Sequence, residues 1–544
     1  MQGEMMNLPL NVSSILRHAE TVYGNNEIVS RLPEGGIWRY TYSAAATRAR
    51  RLANALIRLG VRHQDRVGTL AWNTHRHYEL YYAVSGSGAI IHTVNPRLFP
   101  EQIVYIINHA GDTVLFFDIT FLPLVEKIAP ELTSVQHFVV LVDAAHMPQS
   151  KLPLTCYEEL IAAESESFDW PVLHESLACA LCYTSGTTGH PKGVLYSHRS
   201  TVIHAMSSMA ADALGVTSQG AILPVVPMFH VNAWGIPYSA TMTGAKLVLP
   251  AGQLDGASLY ELMTEEKVTL SLGVPTVWLG LLHYCDKENL RLDHLERTVI
   301  GGSACPEAMI RQFQEKHGVF VIHAWGMTET SPLGTVNSMT AHMASLPLEE
   351  RYKIQAKQGR PMFGIELKII GPDGKDLPRD GKAFGRLLVR GPWVASGYYK
   401  HEDRSTWVDG WFDTGDVATI DETGTLNIVD RSKDVIKSGG EWISSVEIEN
   451  IGIGHPAVAE CAVIGVPHPK WDERPVLLVV KKEGHEVTKA ELLAFLEGKV
   501  AKWWLPDDVV FVQSLPHTAT GKLLKRQLRD EFSNILAQQI AAAS

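Results

Sequence analysis

The chain has 544 residues, of which 45% are hydrophobic and 20% charged, and its formal net charge is −11. This length predicts a globular protein with more than one hydrophobic core, and the dispersed acidic charge excludes the clustered basic surface of a nucleic-acid-binding protein. No window approaches the roughly 18 consecutive apolar residues of a membrane-spanning helix, so we expect no such segment.

The cysteines and the N-terminal residues predict a reducing, cytoplasmic location. The chain has 6 cysteines, too few for a disulfide framework. The first residues, MQGEMMNLPL, lack the basic and apolar regions of a signal peptide. Cys179 and Cys182 form a C-x-x-C pattern inside an apolar run. Since positions three apart on a strand face opposite sides, core packing is the preferred interpretation and redox chemistry the alternative.

Up to about residue 360, helix-like and strand-like segments alternate. Leu52, Leu56 and Leu59 recur at helical spacing within residues 41–60, and Gly60 marks the end of that helix. The runs RVGTLAW and TVLFFD predict strands, and two later stretches, VTLSLGVPTVWLGLLHY and TVIGGSACPEAMIRQFQEKHG, repeat a strand–turn–helix order. This alternation predicts parallel sheets covered by helices.

The pattern changes near residue 365. The turn-rich stretch IELKIIGPDGKDLPRDGKAFGRLLVRG predicts short antiparallel strands and a small β-barrel over residues 360–430. A second α/β unit follows, in which Ser444 with Glu447 and Thr488 with Glu491 have the spacing of helix capping boxes. We predict an α/β protein. Its large N-terminal domain of helix-covered sheets, with the β-barrel subdomain, spans residues 1–432, and a smaller α+β C-terminal domain spans residues 433–544.

A cluster of glycines and hydroxyl residues directly follows the apolar run LACALCY. Every residue from Thr184 to Gly189 is Thr, Ser or Gly, and Lys192 comes soon after. The spacing differs from that of a Walker A motif. Glycines that turn backbone N–H groups toward an anion, hydroxyl donors and a lysine nevertheless suit a phosphate group, and a following helix would add its N-terminal dipole. We predict a phosphate-binding loop, with a polar surface loop as the alternative.

The stretch YTSGTTGHPKG resembles the phosphate-binding loop of the adenylate-forming superfamily, which includes acyl-CoA synthetases, aryl-CoA ligases, luciferases and peptide-synthetase adenylation domains. Five further stretches resemble that family in its order along nearly the whole chain: GGSACP at 301–306, WGMTETSP at 325–332, GWFDTGD at 410–416, DRSKDVIKSGGEWISSVEIE at 430–449 and TATGK at 518–522. The resemblance implies two half-reactions. A carboxylate attacks the α-phosphorus of ATP to give an acyl-adenylate and pyrophosphate, and the thiol of CoA then displaces AMP.

The resemblance also implies a nucleotide site. Glu329 and Thr184 would bind Mg²⁺, the implied cofactor, and Thr328 would touch the α-phosphate. Asp416 would accept hydrogen bonds from the ribose hydroxyls, assisted by Arg431. The alternatives are an acid at a helix N-terminus for Glu329 and a surface ion pair for Arg431. The other implied residues are Thr184, Ser185, Gly186, Thr187, Thr188, Gly189 and Lys192 at the phosphates, and Gly302, Ser303, Ala304, Trp325, Gly326 and Met327 around the adenine.

A second implied set surrounds the acyl group and CoA. The segment PMFHVNAWG resembles that of fatty acyl-CoA synthetases, in which a tryptophan at the position of Trp234 gates the acyl tunnel. His230 would line the acyl or thiol path, and Gly302 would border the acyl group. For His230 a structural role and for Trp442 core packing are the alternatives. The residues implied at the CoA face are Lys437, Gly439, Gly440, Glu441 and Trp442.

The resemblance makes the C-terminal domain a mobile lid. Lys522 matches the lysine that bridges the carboxylate and the α-phosphate during adenylation, and Lys433 matches the hinge about which the lid rotates. The implied catalytic residues are therefore Lys522, Glu329, Thr328 and Thr184.

The main functional prediction is an ATP-dependent acyl-CoA synthetase acting on a short- to medium-chain acid, such as 3-methylmercaptopropionate or a fatty acid. One alternative is an aryl- or amino-acid-activating adenylation enzyme, although PMFHVNAWG offers no acidic residue for an ammonium group. Another is a nucleotide sensor without turnover, which would not need Lys522. The expected partners are ATP, CoA and a small carboxylate, with no nucleic acid. A homodimer is an option, and the length of the acid is left open.

Overall fold

The computed structural model describes residues 1, 3–184, 190–439, 441–517, 523–533 and 535–536, with only the backbone at 441 and 442. In this part of the chain, three β-sheets lie within residues 27–431 and a fourth lies within residues 436–511. Helices cover the sheets. The predicted α/β class, with a large N-terminal domain and a smaller α+β C-terminal domain, is confirmed.

The first sheet has seven strands and carries both ends of the glycine-rich loop. Its neighbours are parallel except for the last pair, in which Gly193–Ser197 runs antiparallel to Ala178–Tyr183. In spatial order the strands are Leu154–Cys156, His137–Val140, Asp112–Phe117, Arg66–Leu70, Ile90–Thr93, Ala178–Tyr183 and Gly193–Ser197.

The helix that follows the glycine-rich loop is separated from it by a strand. A strand, Gly193–Ser197, comes first, and the helix begins only at His198. The reason is the alternation of side chains, because Val194 and Tyr196 are buried while Leu195 between them is exposed. Such a period of two residues fits a strand and not a helix.

The second sheet has nine strands. The six consecutive strands from Phe320–Gly326 to Glu27–Arg31 are parallel to one another. Several of the motif segments begin where its parallel strands end: residues 227–235, 301–306 and 325–332. The carboxyl ends of parallel strands are where open α/β sheets bind ligands. In spatial order the strands are Arg360–Pro361, Leu333–Val336, Phe320–Gly326, Arg297–Ile300, Leu270–Gly273, Ala221–Pro224, Lys246–Leu249, Glu27–Arg31 and Ile37–Thr41.

The third sheet is the antiparallel unit predicted near residue 365. Its five strands pair along an open path among the described residues, with Leu426–Arg431 attached to the long strand Trp411–Ile420. The path runs Glu366–Ile370, Phe384–Arg390, Trp411–Ile420 and Trp407–Val408.

The fourth sheet forms the C-terminal unit together with three helices. The strands Glu441–Ile443, Ile436–Ser438, Asp472–Lys481 and Val458–His468 follow one another in space, and Asp508–Phe511 pairs with Asp472–Lys481. The predicted caps are present. Thr488 and Glu491 bond each other's backbone reciprocally, and the Ser444 hydroxyl accepts the Glu447 N–H at 3.1 Å.

The helix predicted at 41–60 spans Tyr42–Arg58, with Leu52 and Leu56 buried.

Cys179 and Cys182 are buried free thiols, the first beside Thr201 and the second beside Thr93, which confirms core packing. Among the helices of the described ranges, none combines the length and the apolar character that crossing a bilayer requires. The remaining α-helices are Val12–Tyr23, His75–Gly86, Pro100–Ala110, Leu122–Ile128, Tyr157–Ala162, His198–Ser208, Ile236–Thr243, Gly256–Glu265, Pro275–Lys287, Glu307–Arg311, Ala341–Ser345, Leu348–Gln355, Ser445–Gly452, Lys489–Leu496 and Lys525–Phe532.

Candidate active site

The two ends of the glycine-rich loop are fixed to each other by the strands on either side. The Thr184 N–H donates to the Lys192 carbonyl at 2.9 Å, and the Lys192 N–H lies 3.5 Å from Thr184 Oγ1. The Lys192 ammonium lies 4.8 Å from the centre of the Tyr398 ring. The loop residues Ser185, Gly186, Thr187, Thr188 and Gly189 lie outside the described residues, and their role stays a prediction.

Tyr398 connects Lys192 to the carboxylate of Glu329. Glu329 is buried, and the Tyr398 hydroxyl donates to its Oε1 at 2.7 Å. Burial and the neighbouring Glu329 charge raise the pKa of Tyr398 well above its usual value, so the phenol keeps the proton that it donates. Thr328–Thr330 is a single 3₁₀ turn, so Glu329 is not the first-turn acid of an α-helix. An oriented carboxylate near hydroxyl oxygens is a donor set that fits Mg²⁺.

The turn that carries Thr328 is held from two sides. The Tyr196 hydroxyl donates to the Thr328 carbonyl at 2.7 Å, which ties this turn to the strand following the phosphate loop. The N–H of Ala395 donates to the Glu329 carbonyl at 2.7 Å, and the Ser331 hydroxyl donates to the Trp393 carbonyl at the same distance. The segments around 196, 328–331 and 393–398 therefore form one hydrogen-bonded unit.

A second cluster lies around Asp416. The indole N–H of Trp325 donates to Asp416 Oδ2 at 3.0 Å, and Arg431 Nε lies 2.8 Å from Oδ1. The Asp416 side chain is 3% exposed and that of Arg431 is 40% exposed. This pair is thus not the surface ion pair considered as the alternative for Arg431, since the carboxylate is buried. Arg431 also donates to the Thr414 carbonyl at 3.3 Å.

Two glycines of the implied nucleotide site are required by the backbone. A Cβ at Gly326 would lie 2.0 Å from the Pro332 carbonyl oxygen, which no side chain tolerates. Gly302 has a φ of 82°, the left-handed region that favours glycine. Beside them, Ser303 is exposed, Ala304 is half-buried, and the N–H of Met327 donates to the Pro332 carbonyl.

The segment with His230 and Trp234 forms a left-handed turn. Four consecutive residues that are not glycine have positive φ: Val231 at 47°, Asn232 at 53°, Ala233 at 46° and Trp234 at 56°. Each such residue costs roughly 1–2 kcal/mol relative to the right-handed form. His230 comes just before the turn, and its N–H donates to the Pro227 carbonyl. Strain of this kind persists only where surrounding contacts hold it, and it concentrates at functional sites.

The turn places the Trp234 ring against the segment that follows strand Arg297–Ile300. Trp234 is 7% exposed, and its Cη2 atom lies 3.0 Å from where a Cβ of Gly301 would be. The same Cβ would lie 2.9 Å from the carbonyl oxygen of Ala324, the residue before Trp325. The candidate acyl residue and the candidate adenine residues are therefore in one neighbourhood.

The lid candidates lie in the fourth sheet. Lys437 is exposed, and its N–H donates to Glu473 at 2.8 Å. Gly439 has a φ of 60°, and a Cβ there would lie 2.9 Å from the Trp471 ring, so packing within the C-terminal unit already requires glycine. Lys433 is exposed between the third and fourth sheets. Glu441 and Trp442 are described as backbone of a strand, and Gly440 and Lys522 lie outside the described residues.

A buried ionic cluster joins the C-terminal helix to the start of the lid. Lys525 lies 2.7 Å from Glu449, and its ammonium donates to the Ser445 hydroxyl at 2.5 Å. That hydroxyl and the Ser445 N–H both donate to Asp430 Oδ2, at 2.5 and 2.8 Å. Burial opposes the charge of Lys525, but Glu449 and Asp430 raise its pKa above the usual value. The cluster therefore joins Asp430, in the third sheet, to the helices Ser445–Gly452 and Lys525–Phe532.

Sequence reasoning missed several of these residues. Tyr398 lies in SGYYK and Tyr196 in GVLYS, and neither stretch carries a chemical signature of its own. The cluster around Lys525 was also missed. One signal for the left-handed turn was available in VNAWG, namely its asparagine, because asparagine tolerates positive φ better than most residues.

The assembled groups suit a charged, multi-phosphate nucleotide. Lys192 and Glu329 both contact Tyr398, and the buried Asp416 offers acceptor oxygens for hydroxyl groups. The ring of Trp234 lies beside Gly301, which also neighbours the carbonyl of Ala324. The described site shows no nucleophile paired with a base, which fits a reaction in which the substrates bring their own nucleophiles.

Comparison with protein families gives two matches. A model described as AMP-binding enzyme matches residues 16–399, and one described as AMP-binding enzyme C-terminal domain matches residues 447–522.

Known proteins resemble the chain over nearly its full length. The 3-methylmercaptopropionyl-CoA ligase of Ruegeria lacuscaerulensis is 56% identical over 98% of this chain and 100% of its own. A medium-chain-fatty-acid–CoA ligase of Ectopseudomonas oleovorans is 50% identical over 98% of both chains. Among solved structures, the anthranilate CoA ligase AuaEII in complex with anthranoyl-AMP matches with a TM-score of 0.86 and 27% identity, covering 99% of this chain and 100% of its own.

Proposed function

Because this chain belongs to the AMP-binding enzyme family and is an ATP-dependent acyl-CoA synthetase, we propose that its acid is a short- to medium-chain carboxylate, with 3-methylmercaptopropionate as the first candidate. The names of the relatives at 56% and 50% identity support this choice. The observation that carries the proposal is the buried Trp234 ring against Gly301, since a bulky cap at this place limits the length of a bound acyl chain.

The reaction has two balanced steps. A carboxylate oxygen of the acid forms a bond to the α-phosphorus of ATP, and the bond from that phosphorus to the pyrophosphate oxygen breaks. The CoA sulfur then bonds to the acyl carbon and releases the thiol proton to solvent. The bond from that carbon to the bridging oxygen breaks, and AMP departs with this oxygen, which came from the acid. The protein's task is to position anions and to offset the charge that develops in the transition state.

The phosphates bind between the glycine-rich loop and Glu329 in this proposal. Lys192 and the donors of residues 184–189 bind the β- and γ-phosphates, and Thr328 contacts the α-phosphate. Glu329, oriented by Tyr398, binds Mg²⁺ together with Thr184. Mg²⁺ bound there would offset phosphate charge. The buried carboxylate and its fixed orientation support this assignment.

The nucleoside binds between the Asp416 cluster and the segment 302–304. Asp416 accepts the ribose hydroxyls, while Arg431 and Trp325 hold its carboxylate in place. The adenine lies along Gly302, Ser303 and Ala304, with Gly326 and Met327 beyond them.

The acyl chain and CoA complete the proposal. Trp234 caps the acyl pocket, and His230 lines the acyl or thiol path. Residues 1–432 form the adenylating domain and residues 433–544 a lid that turns at Lys433. One lid position brings Lys522 to the carboxylate and the α-phosphate. The other brings Lys437, Gly439, Gly440, Glu441 and Trp442 toward the thiol. A cytoplasmic location is supported by the free, buried cysteines, and a homodimer stays a prediction.

Pyrophosphate release and acyl-CoA formation, measured for a panel of acids, test the proposal. The panel runs from acetate to laurate and includes 3-methylmercaptopropionate, benzoate and an amino acid. We expect the highest kcat/KM among the short- and medium-chain acids, and for Trp234→Ala a shift toward longer acids worth at most about 0.8 kcal/mol per methylene. A preference for benzoate or for the longest acids would refute the proposed substrate class.

A further inference from the structure

We infer that Asn232 is the positioning residue for Trp234, and through it a determinant of acyl-chain selectivity. The inference rests on the proposed function in one respect, namely that Trp234 borders the acyl chain. Asn232 itself is 4% exposed and lies two residues before Trp234. It acts through the left-handed turn Val231–Trp234 and does not need to touch the substrate.

The side chain of Asn232 is bonded by two elements that are distant in sequence. The Tyr81 hydroxyl, on the helix His75–Gly86, shares its single proton between two acceptors, the nearer Met228 carbonyl and Asn232 Oδ1 at 3.2 Å. The Cys182 thiol, on the strand Ala178–Tyr183, lies 3.6 Å from the same Oδ1. Cys182 in turn is 3.2 Å from the Thr93 hydroxyl. One amide oxygen is therefore the fixed point at which a helix and a strand hold the turn.

The start of the segment is fixed as firmly as the turn. Asn73 donates through Nδ2 to the carbonyls of Pro224 and Val226, at 2.8 and 2.9 Å, and accepts the N–H of Met228 at 2.6 Å. These bonds anchor the chain up to residue 228. Beyond residue 228, the side chains of Tyr81 and Cys182 contact Asn232 from outside the segment.

Asparagine at this position also suits the backbone. The φ of Asn232 is 53°, where asparagine is several-fold enriched over other residues that are not glycine. Val231, Ala233 and Trp234 have no such preference, so their positive φ values must be imposed from outside. The bonds to Tyr81 and Cys182 supply that constraint. Without them the turn can relax, and the Trp234 ring loses its fixed distance from Gly301.

The placement of Cys182 adds a second consequence. Cys182 lies two residues before Thr184, at the end of the strand that enters the phosphate loop. Asn232 therefore connects the acyl segment directly to the strand that presents the triphosphate site. A change at Asn232 is expected to act on the acid and to leave ATP binding unchanged, because that strand keeps its own ladder to Gly193–Ser197.

The experiment compares Asn232→Ala, Asn232→Gly and Tyr81→Phe with the parent enzyme. Asn232→Ala removes the side-chain amide and the tolerance for positive φ, and Asn232→Gly removes the side chain but keeps that tolerance. Tyr81→Phe keeps the ring and removes the hydroxyl that contacts both Asn232 and the Met228 carbonyl. The control is Tyr78→Phe, which removes a buried hydroxyl on the same helix, bonded to Thr241 and not to the turn. The readout is the ratio of kcat/KM values for a longer and a shorter acid, with the KM for ATP measured in parallel.

We expect all three variants to shift the ratio toward longer acids, by about fourfold for each methylene newly accommodated in the Asn232 variants. Tyr81→Phe should shift it less, and Tyr78→Phe not at all. General destabilisation lowers the activity with every acid alike and leaves the ratio unchanged. An unchanged ratio in Asn232→Gly and Tyr81→Phe would overturn the inference, even if Asn232→Ala fails to fold. If the parent enzyme prefers another class of acid, the proposed substrate is refuted. The role of Asn232 can still be tested, because any two acids that the enzyme accepts give a ratio.

Discussion

The indole N–H of Trp325 donates to Oδ2 of Asp416, and Arg431 holds the other oxygen of the same buried carboxylate. Trp325 lies near the end of the strand Phe320–Gly326 in the second sheet, whereas Asp416 lies in the third sheet, 91 residues later. The proposed ribose acceptor is thus oriented from both of its oxygens before any nucleotide arrives. Such preorganisation reduces the ordering that binding would otherwise require.

Trp325→Phe tests this arrangement. The variant keeps an aromatic face and loses the N–H donor, so Asp416 is held by Arg431 alone. A hydrogen bond to a charged group contributes about 1.5 kcal/mol, so the KM for ATP should rise about tenfold, with a smaller change in kcat. The control is Trp411→Phe, on the same strand as Asp416 but in contact with Lys368 and Arg390. Equal ATP saturation curves for the two variants would contradict the assigned role of Trp325.

Metal dependence can be tested with a pair of neighbouring variants. Glu329→Gln removes the carboxylate charge and should lower activity on the order of 100-fold or more at ordinary Mg²⁺. Tyr398→Phe keeps the charge and removes the hydroxyl that orients it, so the Mg²⁺ concentration for half-maximal activity should rise about 10-fold. The measurement is a Mg²⁺ titration of pyrophosphate release after treatment with EDTA. Full activity of Glu329→Gln without added metal would remove Glu329 from the site.

The two half-reactions separate the roles of Lys522 and Lys433. Lys522→Ala should slow adenylate formation by about 10²–10³, because a donor to the developing charge is lost. It should largely spare thioester formation from prepared acyl-adenylate and CoA. Lys433→Pro restricts φ at the proposed hinge and should do the reverse if the lid rests in its adenylating position. If both variants lose both half-reactions equally, the lid does not alternate between two positions.

Stability at acid pH should depend on His204. This ring is 2% exposed, its Nε2 accepts the N–H of Leu333 at 3.2 Å, and burial lowers its pKa to about 3. The unfolded chain has the ordinary value of about 6.5, so between these two values the unfolded state binds a proton that the folded state excludes. Stability is therefore full above pH ~6.5 and falls by up to about 1.4 kcal/mol for each unit below it.

His204→Gln keeps a side-chain acceptor but does not titrate. Its thermal unfolding midpoint should fall less steeply than that of the parent between pH 6.5 and pH 5, as measured by scanning calorimetry. His18→Gln, at an exposed position on the helix Val12–Tyr23, is the control and should follow the parent. Parallel curves for the parent and His204→Gln would show that His204 does not contribute to the acid sensitivity.

The sequence alone was sufficient for the class of fold, and the reason is local. The spacing of apolar residues in the first 360 residues shows which side of each helix or strand is buried. This spacing can be read within a short stretch of chain, without knowledge of the tertiary contacts. The capping residues Ser444 and Thr488 and the helix over 41–60 could be predicted on the same basis. The strand after the glycine-rich loop was not predicted, because its five residues are too few for periodicity to identify it.

The chemical motifs could also be found in the sequence, since each is a short run whose residue types follow from its task. Thr184, Lys192, Glu329 and Asp416 all lie in such runs. The contacts that orient Glu329 and Asp416 could not be predicted, because their partners lie in segments that are distant along the chain. Tyr398 reaches Glu329 across 69 residues, and Tyr196 reaches Thr328 across 132.

The order of the elements and the identity of the reactive groups can thus be found from the amino-acid sequence. How those groups are held depends on contacts that form only in the folded chain. The four positive φ values at residues 231–234 illustrate the difference: no local preference of Val, Ala or Trp favours them, and the isolated segment would adopt a right-handed or extended form. Bonds from Tyr81 and Cys182 make the left-handed turn the stable one, since the cost of the strained backbone is met by contacts that exist only when the helix, the strand and the turn come together.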